Sequence, residues 1–176
     1  MSNYYHGLIV KPDCHKCPLQ HDRKVYPDGP IPARLAIVGE GPGRDEVEDG
    51  YGFVGPSGKL LWYLAGCKGI KREDVWVTNA ALCMPRDVRL ATGAVLPRGR
   101  VLQLSAQACY KRLIGELLHV TRNEPNAVIV PVGNVPLYSL TKRKGSKIFA
   151  YRGSRQSVDL QLLWNDIHRN PHVLVW

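Results

Sequence analysis

Residues 35–61, LAIVGEGPGRDEVEDGYGFVGPSGKLL, constrain this chain most. Leu35, Ala36, Ile37 and Val38 form an unbroken apolar run, which suits a strand covered on both faces and so a sheet enclosed by helices. Gly39, Gly41 and Gly43 follow directly, letting the backbone turn sharply and expose its N–H groups to a ligand. A phosphate cradle is the obvious comparison. Glu40, Asp45, Glu46, Glu48 and Asp49 argue against it, because their carboxylates would repel a pyrophosphate. GEGPG also lacks a third glycine at the dinucleotide spacing and the Gly-Lys-Ser/Thr of a P-loop, so nucleotide cofactor binding is set aside. Immediately behind, GYGFVGPSG holds Phe53 between glycines, where a ring can lie open to a ligand.

At 176 residues the chain fits a single domain, 1–176, with an irregular arm over 1–33 and a core over 34–176. No apolar run approaches the ~18 residues of a membrane span. The N-terminal residues lack the basic start and apolar stretch of a signal peptide, so a reducing cytoplasm is expected, with the five cysteines as thiols or metal ligands rather than disulfides. Lys plus Arg at 24 against Asp plus Glu at 15 gives net +9, a balance that favours a polyanion such as nucleic acid. The acids crowd into 40–49, while Arg98, Arg100, Lys111, Arg112, Lys142, Arg143, Lys144, Lys147, Arg152 and Arg155 lie beyond. An acidic pocket within a basic surface fits chemistry on a group drawn out of a nucleic acid.

The expected order is a strand over Arg34 to Val38 and a helix from an N-cap at Ser57 to Gly66. A strand over Val75 to Thr78 and a helix from about Leu102 to Val120 follow. A buried strand over Ala127 to Val130 and a short helix over Val135 to Leu140 come next. Beyond Arg152 a hairpin over Val158 to Trp164 and a last strand over His172 to Trp176 are expected. Strand–helix alternation of this kind predicts a parallel sheet with helices on both faces. The fold class is α/β, a three-layer αβα sandwich around a mainly parallel four-stranded sheet.

Cys14 and Cys17 form a CxxC in an arm too irregular to hold itself in place and with no apolar context to bury the pair. Cys83 and Cys109 lie far downstream, and four thiolates from these places can staple the arm to the core. Such a set holds either structural zinc or an iron–sulfur cluster, and ligand identity alone does not separate them, although one CxxC with scattered single cysteines suits a cluster better. Cys67 reads as an ordinary thiol. A zinc deaminase is disfavoured, since its H-x-E element and second cysteine pair are missing.

Taken together, GEGPG at 39–43, GYGFVGPSGKLL at 50–61, VWVTNAALCMP at 75–85, Cys14-x-x-Cys17, Cys109, VIVPVG at 128–133 and YRG at 151–153 resemble the family 4, iron–sulfur uracil-DNA glycosylases. The resemblance implies a 4Fe-4S cluster on Cys14, Cys17, Cys83 and Cys109. It also implies uracil-containing DNA as partner and hydrolysis of the N-glycosidic bond of a flipped uracil, a base-excision repair reaction. It makes Phe53 the stacking face and Asn79 the edge reader, which donates to O4 and accepts from N3–H. Gly39, Glu40 and Gly41 become the loop that holds substrate and attacking water, and Glu46 an acid near the pocket that rejects thymine's methyl or assists hydrolysis.

The family carries a His-Pro motif after its last strand, and the sequence ends at Trp176 before any such motif; His168 and His172 precede that strand. The expectation is therefore a uracil-DNA glycosylase-like domain that hydrolyses the N-glycosidic bond, and either a fragment of a longer polypeptide or a chain whose activity is weakened or lost with the histidine; it is a monomer or part of a larger replication or repair protein. The alternative is a non-catalytic iron–sulfur DNA-binding module, for example a domain of a phage replication protein. Val47, Gly52, Leu82 and Met84 also depart from the family pattern.

Overall fold

The computed structural model describes residues 10–142 and 151–169. In chain order the elements are β1 Leu35–Gly39, α1 Arg44–Asp49, α2 Pro56–Gly66, β2 Trp76–Asn79, β3 Val88–Arg89, β4 Val95–Leu96, α3 Arg98–Val120, β5 Val128–Pro131, α4 Asn134–Thr141 and α5 Leu160–Arg169. Short 3-10 turns cover Cys14–Lys16 and Arg72–Asp74.

The main sheet is parallel, in the order β2-β1-β5, with Gly39 opposite Asn79 and Val38 opposite Pro131. Alternation along its strands feeds two separate cores. Ala36, Val38 and Trp76 pack against Tyr110, Leu113, Ile114 and Leu117 of α3, Leu140 of α4, and Leu163 and Trp164 of α5. Ile37 and Val77 pack on the opposite face with Phe53 and with Leu61 and Trp62 of α2. The expected three-layer α/β sandwich is thus present. Helix α2 leaves Leu60, Tyr63 and Leu64 exposed.

Several boundaries and two elements differ from expectation. Among the described residues the main sheet has three strands; the fourth, expected over His172 to Trp176, lies outside them. Strand β5 is not buried on both faces: Val128 is 53% and Val130 37% exposed. The hairpin expected over Val158 to Trp164 is replaced by α5, in which Leu160, Leu163 and Trp164 share a helical face. Its first turn is tied to Asp159, whose Oδ1 accepts the Leu162 N–H at 2.9 Å. Gly115 of α3 makes room for that packing, since a Cβ there would lie 2.8 Å from Trp164 Cζ3. Helix α2 is capped at Gly55 with Pro56 in its first turn rather than at Ser57. Helix α3 begins at Arg98, where Asp87 Oδ1 accepts the Arg98 N–H at 2.6 Å. The acidic stretch is not all loop: residues 44–49 are helical, with Asp45 and Glu46 in the first turn where backbone N–H groups favour anions.

The arm is better anchored than its composition suggests. Backbone bonds join Asp13 to Ala108, Val25 to Leu82, Asp28 to Val77 and Ala33 to Val120, at 2.7 to 3.0 Å. Leu19 and Val25 are buried, and Cys17 packs against Leu19, Cys83 and Val101, so the CxxC does have an apolar setting.

Candidate active site

All three main strands end on the same side, and a cavity of about 450 Å³ opens there, at the position where open α/β sheets collect ligand groups. Gly39, Glu40, Gly41, Glu46, Phe53 and Asn79 all line it, so the residues singled out in the sequence share one cavity.

Asn79 and Phe53 meet over Gly39. A Cβ on Gly39 would strike Asn79 Oδ1 and lie 2.8 Å from Phe53 Cζ, so only glycine leaves this space to the ring and the carboxamide. Asn79 is 5% exposed, and the chain beyond it is fixed by Ala80 N–H to Gly39 O at 2.8 Å and Ala81 N–H to Glu40 O at 2.9 Å. Phe53 has φ of 59°, a left-handed conformation that costs a residue with a Cβ and marks functional sites disproportionately. Trp62 Nε1 donates to its carbonyl at 3.0 Å, and Gly58 lies so close beneath that carbonyl that no Cβ would fit.

Both loop carboxylates are engaged. Glu40 Oε1 accepts from the N–H groups of Asn134 at 2.9 Å and Val135 at 3.3 Å, capping α4. Glu46 accepts from Gly43 through Oε2 and from Gly55 through Oε1, each at 2.9 Å. Glu46 is therefore a brace between two turns, and Glu40 links the β1 loop to the β5 loop.

Behind Asn79 stands a buried ion pair. Arg112 Nη1 donates to Glu116 Oε2 at 2.6 Å, and both side chains are 0% exposed. The guanidinium also donates to Thr78 Oγ1 at 3.0 Å, Asn79 O at 2.7 Å and, more weakly, Ala80 O at 3.4 Å, while Trp76 Nε1 donates to Glu116 Oε1 at 2.8 Å. Burial works against the Arg112 charge, but Glu116 and Cys109 outweigh it and raise its pKa. Arg112 thus does not belong to the basic surface in which its sequence position placed it.

Cys83 and Cys109 are buried, Cys14 and Cys17 half-buried, and Cys67 exposed. Cys17 Sγ lies 3.3 Å from Ser105 Oγ and receives the Leu19 N–H at 3.4 Å. Burial pushes the Cys83 thiol up to about 12, Lys24 opposes the rise, and Cys109 and Cys17 add to it. Burial likewise raises Cys109, against the pull of Arg112. Cys17, Cys83 and Cys109 therefore lie within electrostatic reach of one another. Among the described residues no three His, Cys, Asp or Glu side chains converge as a metal-holding group.

A model of the uracil DNA glycosylase superfamily matches residues 26–172. The chain belongs to this superfamily. It is 42% identical over 81 residues to the type-4 uracil-DNA glycosylase of Thermotoga maritima, a match covering 45% of this chain and 42% of that protein. Identity is again 42% over 78 residues of the Archaeoglobus fulgidus type-4 uracil-DNA glycosylase, covering 43% and 39%. The Pyrobaculum aerophilum counterpart gives 42% over 86 residues, covering 48% and 43%. The matched stretch thus spans about two-fifths of the length of these curated relatives.

Two groups of residues at or behind the cavity carry little signal in the sequence. Gly133 and Asn134 line the cavity, and the left-handed Gly133 lets Glu40 reach α4; the VIVPVG motif was their signal. Arg112 and Glu116 announce themselves only by an i, i+4 spacing that surface pairs share.

Proposed function

We propose that this chain flips uracil out of DNA and hydrolyses its N-glycosidic bond. The observation that carries the reading is the junction of Phe53 and Asn79 over Gly39 at the mouth of a carboxylate-lined cavity. A base must leave the stack before its sugar bond can be reached, and it then needs an aromatic face and an edge reader. Phe53 supplies the face. The Asn79 carboxamide donates to uracil O4 and accepts from N3–H; cytosine presents the opposite pattern at both atoms and would leave buried polar groups mispaired. Glu40 commits Oε1 to α4, so Oε2 and the Gly41 backbone are the groups that hold a water against the sugar. The Glu40 carboxylate also favours the positive charge that develops on the sugar as the base departs.

Cys14, Cys17, Cys83 and Cys109 are the residues that would hold a 4Fe-4S cluster. The donor set fits. Three of its thiols sense one another, and Arg112 Nε is buried without a hydrogen-bond partner in a side chain that interacts with Cys109, so an anionic sulfur there offers the missing acceptor. Bound, the cluster would supply a covalent staple between the arm and α3.

The reading makes the chain, 1–176, one glycosylase domain acting on uracil-containing DNA. A uracil-bearing oligonucleotide, incubated with the protein and then cleaved with alkali at abasic sites, tests it. Strand scission that depends on uracil and falls steeply, to a small residual rate, in Asn79→Ala is expected. Salt-sensitive DNA binding with no base release would overturn the reading in favour of a binding module.

A further inference from the structure

We propose that Arg112 and Glu116 are positioning residues that hold the end of β2, and through it the Asn79 carboxamide, in register with the flipped base. The inference rests on the reading of Asn79 as the group that recognises the base.

Strand β2 pairs with β1 on one side, and beyond the ladder its last carbonyls need other partners. Arg112 provides them: its two terminal nitrogens reach Thr78 Oγ1, Asn79 O and Ala80 O, so one rigid fork spans consecutive residues where β2 reaches the cavity. Glu116 is fixed in turn by Trp76 Nε1 and completes the grip from residue 76 to residue 80. The carbonyl of Asn79 and its side chain leave neighbouring atoms of one backbone, so fixing the former aims the latter.

Stability alone is a weak account of this pair. Replacing a buried ion pair by apolar residues of similar volume is often neutral or stabilising, whereas removing one partner is costly. What an apolar pair cannot do is donate to the carbonyls of Asn79 and Ala80. The same helix carries Cys109 three residues earlier, and the Arg112 side chain interacts with that thiol as well. Arg112 therefore joins the cysteine set and the base-reading strand within one side chain.

The test compares the purified wild-type protein, the double variant Arg112→Met/Glu116→Leu, and Arg112→Lys, which keeps the charge but loses the fork. Thermal melts establish which variants fold. In those that do, kcat for uracil release is expected to fall roughly tenfold to a hundredfold with KM little changed, the scale of a small misplacement of a reacting group. In an Asn79→Ala background the same substitutions are expected to produce no further loss. Backbone amide exchange at Ala80 and Ala81 is expected to quicken while β1 and β5 keep their protection; this readout needs no activity and decides the matter even if the wild-type chain releases no uracil. Unchanged exchange at Ala80 and Ala81, wild-type kcat in a folded variant, or an equal fractional loss without Asn79 would each overturn the proposal.

Discussion

Glu46 Oε1 accepts the Gly55 N–H at 2.9 Å, and so ties the helix after β1 to the turn that presents Phe53. With its other oxygen on Gly43, this carboxylate is occupied by two backbone donors. Glu46→Ala leaves both without their acceptor and is expected to cost about 1–3 kcal/mol, read as a shift in the urea midpoint. Glu46→Gln keeps one acceptor and should cost less, with uracil release falling in step with stability across the two variants. Abolition of release in Glu46→Gln at full stability would instead mark a carboxylate that acts on the substrate.

Gly39 is the tightest point of the cavity. Gly39→Ala drives a methyl into Asn79 Oδ1 and the Phe53 ring, so release is expected to drop by ~10² or more while the far-ultraviolet circular dichroism stays native. Gly66→Ala is the control: a Cβ there meets nothing within 4 Å, and the helix it ends should hold or gain slightly. Equal losses in both variants would show that the effect at Gly39 is general destabilisation.

The parts of this molecule that were legible in the sequence are those where a local pattern has one physical meaning. Ala36 to Val38 are enclosed as their apolar run suggests, whereas the like run in β5 is left half exposed at the edge of the described sheet, and the glycines at 39, 41 and 43 each meet a close neighbour. Val158 to Leu162 alternates apolar and polar residues like a strand, yet Leu163 and Trp164 extend a helical stripe and Asp159 caps it; tertiary packing on Gly115 decides between the two. Arg112 and Glu116 are harder still. The pairing i, i+4 is the usual mark of a solvated helix face, and only the burial of their neighbours Cys109, Leu113 and Leu117 reverses it. The residues that line the cavity were legible because loop chemistry is local; the ion pair behind Asn79 was not, because burial is a property of the assembled fold.

The buried Cys83 thiol gives the metal-free protein an alkaline limit. Its pKa rises from 9.0 unfolded to about 12 folded, mainly through burial, so the folded state keeps the proton longer. The associated stability is fully present below pH 9 and is lost as pH climbs from there toward 12. Chelator-treated protein is expected to show a urea midpoint that falls over that window, and Cys83→Ser to flatten the fall. A midpoint independent of pH across the window would contradict the burial of this thiol.

Metal removal should release only part of the arm. Residues 25, 28 and 33 are held by backbone bonds to Leu82, Val77 and Val120 that involve no cysteine side chain, and Val25 and Ala33 are buried. Residues 14–17 form a short 3-10 turn whose tie to the core, apart from Asp13 N–H to Ala108 O and the packing of Cys17, would run through the cysteine ligands. Treatment with an iron chelator is therefore expected to speed amide exchange at Lys16, Cys17 and Leu19 while Val25, Asp28 and Ala33 remain protected. If the whole segment up to Ala33 exchanged together, the metal rather than the backbone ladder would be what folds the arm.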